Sequence, residues 1–124
     1  MSFRVYNNEQ KKWVKDDVYL APNGDLFLIK KSLFGMTKTL LDYERYVYHR
    51  DIGLNDKNGT LIYEGDYIHA RVAEDKTEIG LVAYAHELSA YVILCVDSDT
   101  FYTLGSDVSE EISVIGNVFD GYNR

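Results

Sequence analysis

Two carboxylates and an imidazole lie close together in the middle of the sequence, at Glu64, Asp66 and His69. Residues two apart share one face of an extended strand, so Glu64 and Asp66 could act as an acid pair. A nearby histidine could then carry a proton, which would make the segment a hydrolytic site. A carboxylate directly after a glycine is also typical of a turn, where it accepts backbone hydrogen bonds. We favour the turn for Asp66, and hydrolysis is the less favoured hypothesis.

The other histidines and the cysteine give little support for metal binding or nucleophilic catalysis. His49, His69 and His86 are scattered, and none has a ligand spacing such as H-x-x-x-H. The single cysteine, Cys95, lies in the apolar run of residues 91–96. A reactive thiol needs an exposed, electropositive setting, so this position predicts a buried core thiol.

A run of acidic residues follows Cys95 and could attract a calcium ion. Its members are Asp97, Asp99, Asp107, Glu110 and Glu111. Their spacing matches no EF-hand loop, so solvated turns are the favoured interpretation. The sequence also lacks a glycine-rich phosphate loop and a G-x-S-x-G motif. We therefore predict no catalytic residue, no metal site and no cofactor.

The elements that must position these residues are short strands joined by turns. The dipeptide at Asn23 and Gly24 lies between two apolar segments and predicts a β-hairpin. Residues 38–50 are ambiguous, because apolar side chains at 36, 40, 43 and 47 fit one face of a helix, whereas residues 46–48 with flanking charges fit a strand. We expect a short helical or irregular piece near residues 37–43, followed by a strand at residues 45–50.

The second half of the chain has the more regular pattern. Five short apolar segments separated by turns run from Asp66 to Phe119, which favours a small antiparallel barrel of the SH3-like type. The unbroken apolar run at residues 91–96 predicts a strand covered on both faces. Gly116 and Asn117 predict a bulge in the last strand. We expect one mainly-β unit, with an N-terminal lobe at about residues 1–50 and the barrel at about residues 60–120.

Composition fits this single unit and excludes several classes of protein. The chain has 124 residues, of which 46% are hydrophobic and 27% charged, an ordinary balance for a globular domain. One cysteine cannot form an internal disulfide, which excludes a disulfide-stapled secreted scaffold. No signal-peptide pattern follows Met1, and no apolar run reaches the roughly 20 residues of a membrane-spanning helix. We expect a soluble protein of a reducing compartment without a membrane partner.

Four segments together carry a resemblance to a known family. Residues 52–59 (IGLNDKNG) and 61–66 (LIYEGD) resemble the signature of the YopX family of phage and prophage proteins, and residues 3–6 and 114–119 fit its two ends. Asp51 and Asn55 depart from it, standing where the family usually has threonine and lysine. The resemblance implies a β-rich fold with a small SH3-like barrel, a phage or prophage origin in the bacterial cytoplasm, and self-assembly into an oligomer. The family has no established biochemical activity.

Physical chemistry explains much of this signature as structure. Asn58 and Gly59 supply the positive backbone dihedrals of a two-residue hairpin. Gly53 and Gly65 are expected at bends where a Cβ atom would collide with a neighbouring strand, and Asp66 at a turn. The residues to which we assign this structural role are Gly53, Leu54, Asp56, Asn58, Gly59, Tyr63, Glu64, Gly65 and Asp66.

The net charge of −7 is unevenly distributed along the chain. Residues 1–50 carry nine Lys/Arg and six Asp/Glu, a balance of +3, whereas residues 51–124 carry four and fourteen, a balance of −10. Such an asymmetry predicts association of the basic half of one copy with the acidic half of another. That contact would be head-to-tail and could close into a ring.

Three classes of function follow from these features. We favour a non-enzymatic accessory protein that binds itself and an unidentified phage or host protein. The alternative is a role with nucleic acid, through direct binding or through acidic mimicry of a phosphate backbone. Direct binding would use basic and aromatic residues of the N-terminal half: Tyr6, Lys11, Lys12, Trp13, Lys15, Lys30 and Lys31. The third class is the hydrolase built on Glu64, Asp66 and His69.

Overall fold

Short antiparallel strands make up most of the structure, a computed structural model that describes residues 2–105 and 111–123. The strands are β1 (Phe3–Asn7), β2 (Lys12–Trp13), β3 (Val18–Leu20), β4 (Leu26–Ser32), β5 (Gly35–Leu41), β6 (Tyr46–Asn55), β7 (Leu61–Tyr63), β8 (Asp66–Ala73), β9 (Lys76–Ala85), β10 (Ala90–Cys95), β11 (Phe101–Thr103), β12 (Ile112–Asn117) and β13 (Gly121–Tyr122). One turn of 3-10 helix, His86–Leu88, joins β9 to β10. The mainly-β prediction is confirmed.

The chain divides into two compact units, Arg4–Tyr48 and the remainder, Met1–Phe3 with His49–Arg124. The larger unit contains a six-stranded antiparallel sheet in the order β11-β10-β9-β8-β12-β13, which curls into a half-barrel. Alternate side chains of its strands point inward and form one apolar core. The buried core residues are Ile68, Ala70, Val82, Ile93 and Ile112 of this sheet, together with Ile62 of β7. The narrower SH3-like assignment stays a prediction.

The smaller unit contains a three-stranded meander in the order β3-β4-β5. Seven residue pairs join β4 to β5, from Leu26 opposite Leu41 to Ser32 opposite Gly35, with residues 33 and 34 at the turn. In the same unit β1 pairs with β2, which places Tyr6 opposite Trp13. The buried apolar side chains of this unit are Val5, Tyr6, Leu26 and Leu41.

The predicted helical or irregular piece at residues 37–43 is wrong. Most of that segment is the regular strand β5, hydrogen-bonded to β4 along its length. The chain turns only at Asp42, whose side-chain Oδ1 accepts a hydrogen bond from the amide of Glu44. Pairing with a neighbouring strand decided the structure here, and a helix-like spacing of apolar residues carries no information about such a partner. The strand predicted at residues 45–50 is confirmed and is longer, since β6 continues to Asn55.

Two local predictions for the signature segment also need correction. The loop between β6 and β7 has five residues, since Asn55 pairs with Leu61, and only Gly59 among them has a positive φ. It is therefore not a two-residue hairpin, and Asn58 keeps an ordinary φ. At Gly53 a Cβ atom would meet nothing within 4 Å, so the requirement for glycine comes from its φ of +79°.

The remaining strand predictions are largely confirmed. The turn at Asn23 and Gly24 joins β3 to β4, although it spans the five residues 21–25. The bulge in β12 lies between Val114 and Gly116. A Cβ atom added at Gly116 would overlap the carbonyl oxygen of Gly121. The prediction that residues 91–96 form a strand is confirmed by β10, but the strand is not covered on both faces along its whole length, because Leu94 is exposed. No helix in the described parts of the chain is long and apolar enough to cross a membrane.

Candidate functional site

The three residues of the hydrolase hypothesis have separate surroundings. Asp66 is buried at the start of β8, and its Oδ2 accepts a hydrogen bond from the amide of Tyr63 at 2.8 Å. His69 is exposed and, three positions further along β8, lies on the opposite face of the strand. The Oε1 of Glu64 accepts a hydrogen bond from the hydroxyl of Tyr91 at 3.3 Å. The fold therefore does not bring Asp66 and His69 together on one surface.

Asp56 organises the signature loop and is 8% exposed. Its Oδ1 accepts hydrogen bonds from the amides of Asn58 and Thr60, both at 2.9 Å, and its Oδ2 accepts one from the amide of Val114, also at 2.9 Å. Burial acts to raise the pKa of Asp56, but the three amides favour the charged form more strongly and hold the pKa below its ordinary value. This carboxylate therefore joins its own loop to β12.

Asp51 has a similar structural role in β6. It accepts hydrogen bonds from the amide of Ser2 and from the amide of Gly53, the latter at 2.8 Å. The bond from Ser2 is the main reason that the pKa of Asp51 is lowered. Among the signature residues, Leu54 is exposed. The hydroxyl of Tyr63 is hydrogen-bonded to the hydroxyl of Ser2, with 2.9 Å between the two oxygens. The signature thus forms a set of backbone and loop contacts.

Gly65 has φ +84° and lies against an imidazole. A Cβ atom there would be 2.5 Å from Cε1 of His49, whose ring stacks on Phe119 with 5.3 Å between centroids. The predicted collision of a Cβ atom at this bend is therefore confirmed, and the atoms that it would meet belong to the side chain of His49. His86 makes an edge contact with Tyr84 at 5.0 Å. The three histidines belong to different elements, and no metal-binding group of three ligands occurs in the described residues.

The thiol of Cys95 is buried, as the sequence predicts, and its burial raises its pKa. Glu111, in the acidic run, is 3.6 Å from the guanidinium of Arg71. Asp107 and Glu110 lie outside the described residues.

The predicted nucleic-acid residues near the N-terminus do not present two stacking platforms. Tyr6 is 4% exposed and makes an edge contact with Trp13 at 5.0 Å. The guanidinium of Arg4 also lies over the ring of Trp13, 4.6 Å from the ring centroid. The proposed lysines are exposed: Lys11, Lys12, Lys15, Lys30 and Lys31. Because Tyr6 is covered, it cannot stack on a base.

A stronger candidate surface lies at the far end of the β4–β5 hairpin. Leu33 and Phe34, at the turn, are each 99% exposed, and Met36 is 71% exposed. The turn is held by the hydroxyl of Ser32, which accepts a hydrogen bond from the amide of Phe34 at 3.2 Å and donates one to the carbonyl of Gly35 at 3.3 Å. We call residues 32–35 the hairpin tip. The lysines that flank it are Lys30, Lys31 and Lys38.

At the other end of the same hairpin the smaller unit contains a cleft of about 570 Å³, which we call the tyrosine cleft. Its lining residues are Gly24, Asp25, Leu26, Leu40, Leu41, Asp42, Tyr43, Tyr46, Val47 and Tyr48. Leu26 and Leu41 are buried, whereas Tyr43 is 85% exposed. A Cβ atom at position 24 would make an ordinary contact of 3.8 Å with the hydroxyl of Tyr48, so the requirement for glycine there comes from its φ of +93°. The cleft combines an apolar interior with aromatic hydroxyls and two carboxylates.

With this geometry described, comparison with known proteins places the chain in a family. The family model described as YopX protein matches residues 2–123. The chain belongs to the YopX family. The match includes both units and the whole signature segment, so the sequence resemblance is confirmed.

Two solved structures of similar proteins agree with the fold. Protein yopX from Bacillus subtilis has a TM-score of 0.61 and 15% sequence identity, over 94% of this chain and 91% of that one. Protein EF1440 from Enterococcus faecalis has a TM-score of 0.51 and 21% identity, over 94% and 92% of the two chains. At such identities the likeness shows the fold alone. No curated protein matches the chain.

Neither the hairpin tip nor the tyrosine cleft was predicted from the sequence of this YopX-family chain. One signal was available for the tip, since Leu33 and Phe34 are two apolar residues directly before a glycine and between lysines. Turns lie mostly on the surface, so two apolar residues at a turn indicate an exposed apolar point. The cleft had no such signal, because its lining comes from three separate stretches of sequence.

Proposed function

We propose that this YopX-family chain is a non-enzymatic protein-interaction module that self-associates through its hairpin tip. In keeping with the phage and prophage proteins that it resembles, we propose a phage or prophage origin and action in the bacterial cytoplasm. The observation that carries the interaction role is the complete exposure of Leu33 and Phe34. Transfer of such side chains from water into an apolar site contributes roughly 1.5–3 kcal/mol each.

The composition of the hairpin tip favours a protein partner. An aliphatic side chain such as Leu33 has no aromatic face on which a base could stack, and sequence-tolerant nucleic-acid binding relies on such stacking. Apolar contact with another polypeptide makes use of both Leu33 and Phe34. The hydroxyl of Ser32 bonds to the backbone at Phe34 and Gly35, which restricts the backbone of the turn before it meets a partner.

The test is the oligomeric state of the purified full chain, measured by light scattering over a range of concentrations. The wild type should be an oligomer, and the double variant Leu33→Ser/Phe34→Ser should be shifted to monomer, with at least about tenfold weaker association. Leu88→Ser provides the control, since Leu88 is exposed on the 3-10 helix of the larger unit. It should associate like the wild type.

A wild type that stays monomeric at all concentrations would contradict the proposal. So would a double variant that associates as strongly as the wild type. Far-ultraviolet circular dichroism of each variant shows that the fold is retained, which is expected because both replaced side chains are fully exposed.

A further inference from the structure

We infer that the hairpin tip of one copy docks into the tyrosine cleft of the next copy. The inference rests on the proposed self-association and adds the surface that receives the tip. Both surfaces belong to the smaller unit, Arg4–Tyr48, so every copy carries one of each.

A copy cannot fill its own cleft. The pairing of β4 with β5 runs without interruption from Leu26 opposite Leu41, at the cleft, to Ser32 opposite Gly35, at the tip. Six steps along this ladder, at about 3.3 Å each, separate the two ends by about 20 Å. A two-stranded ladder cannot fold back on itself while these pairs remain, so a tip that enters a cleft enters that of another molecule.

The apolar parts of the two surfaces are complementary. The cleft volume of about 570 Å³ lies within the roughly 300–1,000 Å³ that is common for binding pockets. Leu26 and Leu41 provide a buried apolar interior, and Tyr46 and Tyr48 provide rings that can contact an incoming aromatic side chain. Phe34 is the aromatic side chain at the tip, and it has no burial in its own molecule.

The charged parts are complementary as well. Asp25 and Asp42 line the cleft, and none of the ten lining residues is basic. The Nε atom of Arg45 is 3.8 Å from Oδ2 of Asp42 and 3.4 Å from Oε2 of Glu9. Because one guanidinium is shared between two carboxylates, the charge of Asp42 is only partly balanced. The tip would bring Lys30 and Lys31, on the strand that leads into it, to the contact. Lys38, further from the tip, has its Nζ over the ring of Phe27 in its own molecule, 4.9 Å from the centroid. Opposite charges beside an apolar contact select the correct partner surface and orient it.

The geometry has a consequence for assembly. The tip and the cleft are different surfaces, so a contact repeated in one direction is heterologous, and each added copy leaves one free tip and one free cleft until a ring closes. Two copies that exchange tips reciprocally, each tip in the cleft of the other, would instead form a symmetric two-fold dimer.

The test mixes two variants of the full chain that each lack one surface. The tip variant is Leu33→Ser/Phe34→Ser, and the cleft variant is Asp25→Lys/Tyr43→Ser, at two exposed residues. Each alone should be monomeric. An equimolar mixture should form a dimer of one copy of each, because one intact tip meets one intact cleft and neither remaining end can bind.

The matched control for the cleft variant is Asp16→Lys/Tyr19→Ser, which makes the same chemical changes at exposed positions of the same unit outside the cleft. It should assemble like the wild type. Tyr43→Lys is a second cleft variant, which leaves Asp25 and its loop unchanged. The side chain of Tyr43 is 85% exposed, so this variant should fold like the wild type. It should weaken association at least about tenfold.

The outcomes separate this inference from the proposed function. If the tip variant is monomeric but both cleft variants assemble like the wild type, the tip binds elsewhere and the inference is overturned while self-association through the tip stands. If the mixture of folded variants stays monomeric, the inference is also overturned. If the wild type itself is monomeric, both proposals fail.

Discussion

At the scale of single residues, the carboxylates of the signature act on the backbone. Asp56 shows this most clearly, because three main-chain amides, those of Asn58, Thr60 and Val114, converge on one side chain. Two of these donors lie within four residues of Asp56, but Val114 is 58 residues away. Sequence patterns can predict the local part of such a contact, since Asx turns depend on neighbouring residues. The distant amide comes from a strand whose position only the fold determines.

We predict that Asp56→Ala lowers the free energy of unfolding by about 3 kcal/mol at pH 7, since three amides lose a charged acceptor. Urea unfolding measures the change. Asp75→Ala, at an exposed turn position, is the control and should differ from the wild type by no more than about 0.5 kcal/mol. A loss at Asp56 as small as that at Asp75 would mean that water replaces the carboxylate without a penalty.

The same variant has an expected pH dependence. Because the folded state lowers the pKa of Asp56, its ionisation stabilises the fold above the unfolded value of about 3.9, and this contribution is lost as the pH falls through the lower folded pKa. The difference between wild type and Asp56→Ala should therefore shrink between pH 5 and pH 2. A difference that stays constant over this range would show that the charge of the carboxylate is not what binds the amides.

At the scale of elements, β5 explains why one strand was predicted as a short helical or irregular piece. Side chains at 36, 40, 43 and 47 have the spacing of a helical stripe, yet in the structure the first two are exposed on a strand. Six of the seven β5 residues are exposed, so no buried face imposes the period of two that normally identifies a strand. Strand pairing with β4 was decisive, and pairing is a property of two segments.

This exposure predicts a gradient of stability along the hairpin. Amide hydrogen exchange, followed by NMR on a dilute sample, should be slow near the pair of Leu26 and Leu41 and faster by at least about tenfold near Lys30 and Thr37. The reason is that both residues of the inner pair are buried, whereas the outer pair has only its ladder hydrogen bonds. The buried pair of Ile68 and Gly80 in the larger unit is the slow reference. Uniform exchange along β4 would contradict the gradient.

At the scale of the whole molecule, fold class and family could be predicted, because turns, alternation and the signature are local features of the sequence. The surfaces that we propose for self-association could not. The uneven charge, with +3 on residues 1–50 and −10 on residues 51–124, predicts a broad electrostatic contact between the two halves, which stays a prediction. The tip and the cleft both lie within Arg4–Tyr48 and offer apolar side chains together with a few charges. Their juxtaposition depends on how one hairpin is built.

Salt dependence distinguishes a tip-and-cleft contact from a broad contact between halves. Exposed lysine–carboxylate pairs contribute roughly 0.2–1 kcal/mol each and are screened as salt rises, whereas apolar burial is not. We predict that raising sodium chloride from 50 to 500 mM weakens self-association by about three- to thirtyfold without abolishing it, as measured by sedimentation equilibrium. A broad contact between the charged halves would be lost almost completely over this range.

The variant Lys30→Gln/Lys31→Gln, compared with Lys12→Gln/Lys15→Gln, separates the local charges from the net charge. Each wild-type copy carries −7, and each copy of either variant carries −9 because two lysines are lost; the resulting repulsion between copies weakens with salt, which opposes the loss of the lysine contacts. This repulsion is the same in the two variants, so the difference between their salt dependences reports the lysines beside the tip. Lys30→Gln/Lys31→Gln should bind more weakly than the control variant at 50 mM and approach it at 500 mM. Parallel dependences would mean that the lysines beside the tip take no part, and that apolar burial alone joins the copies.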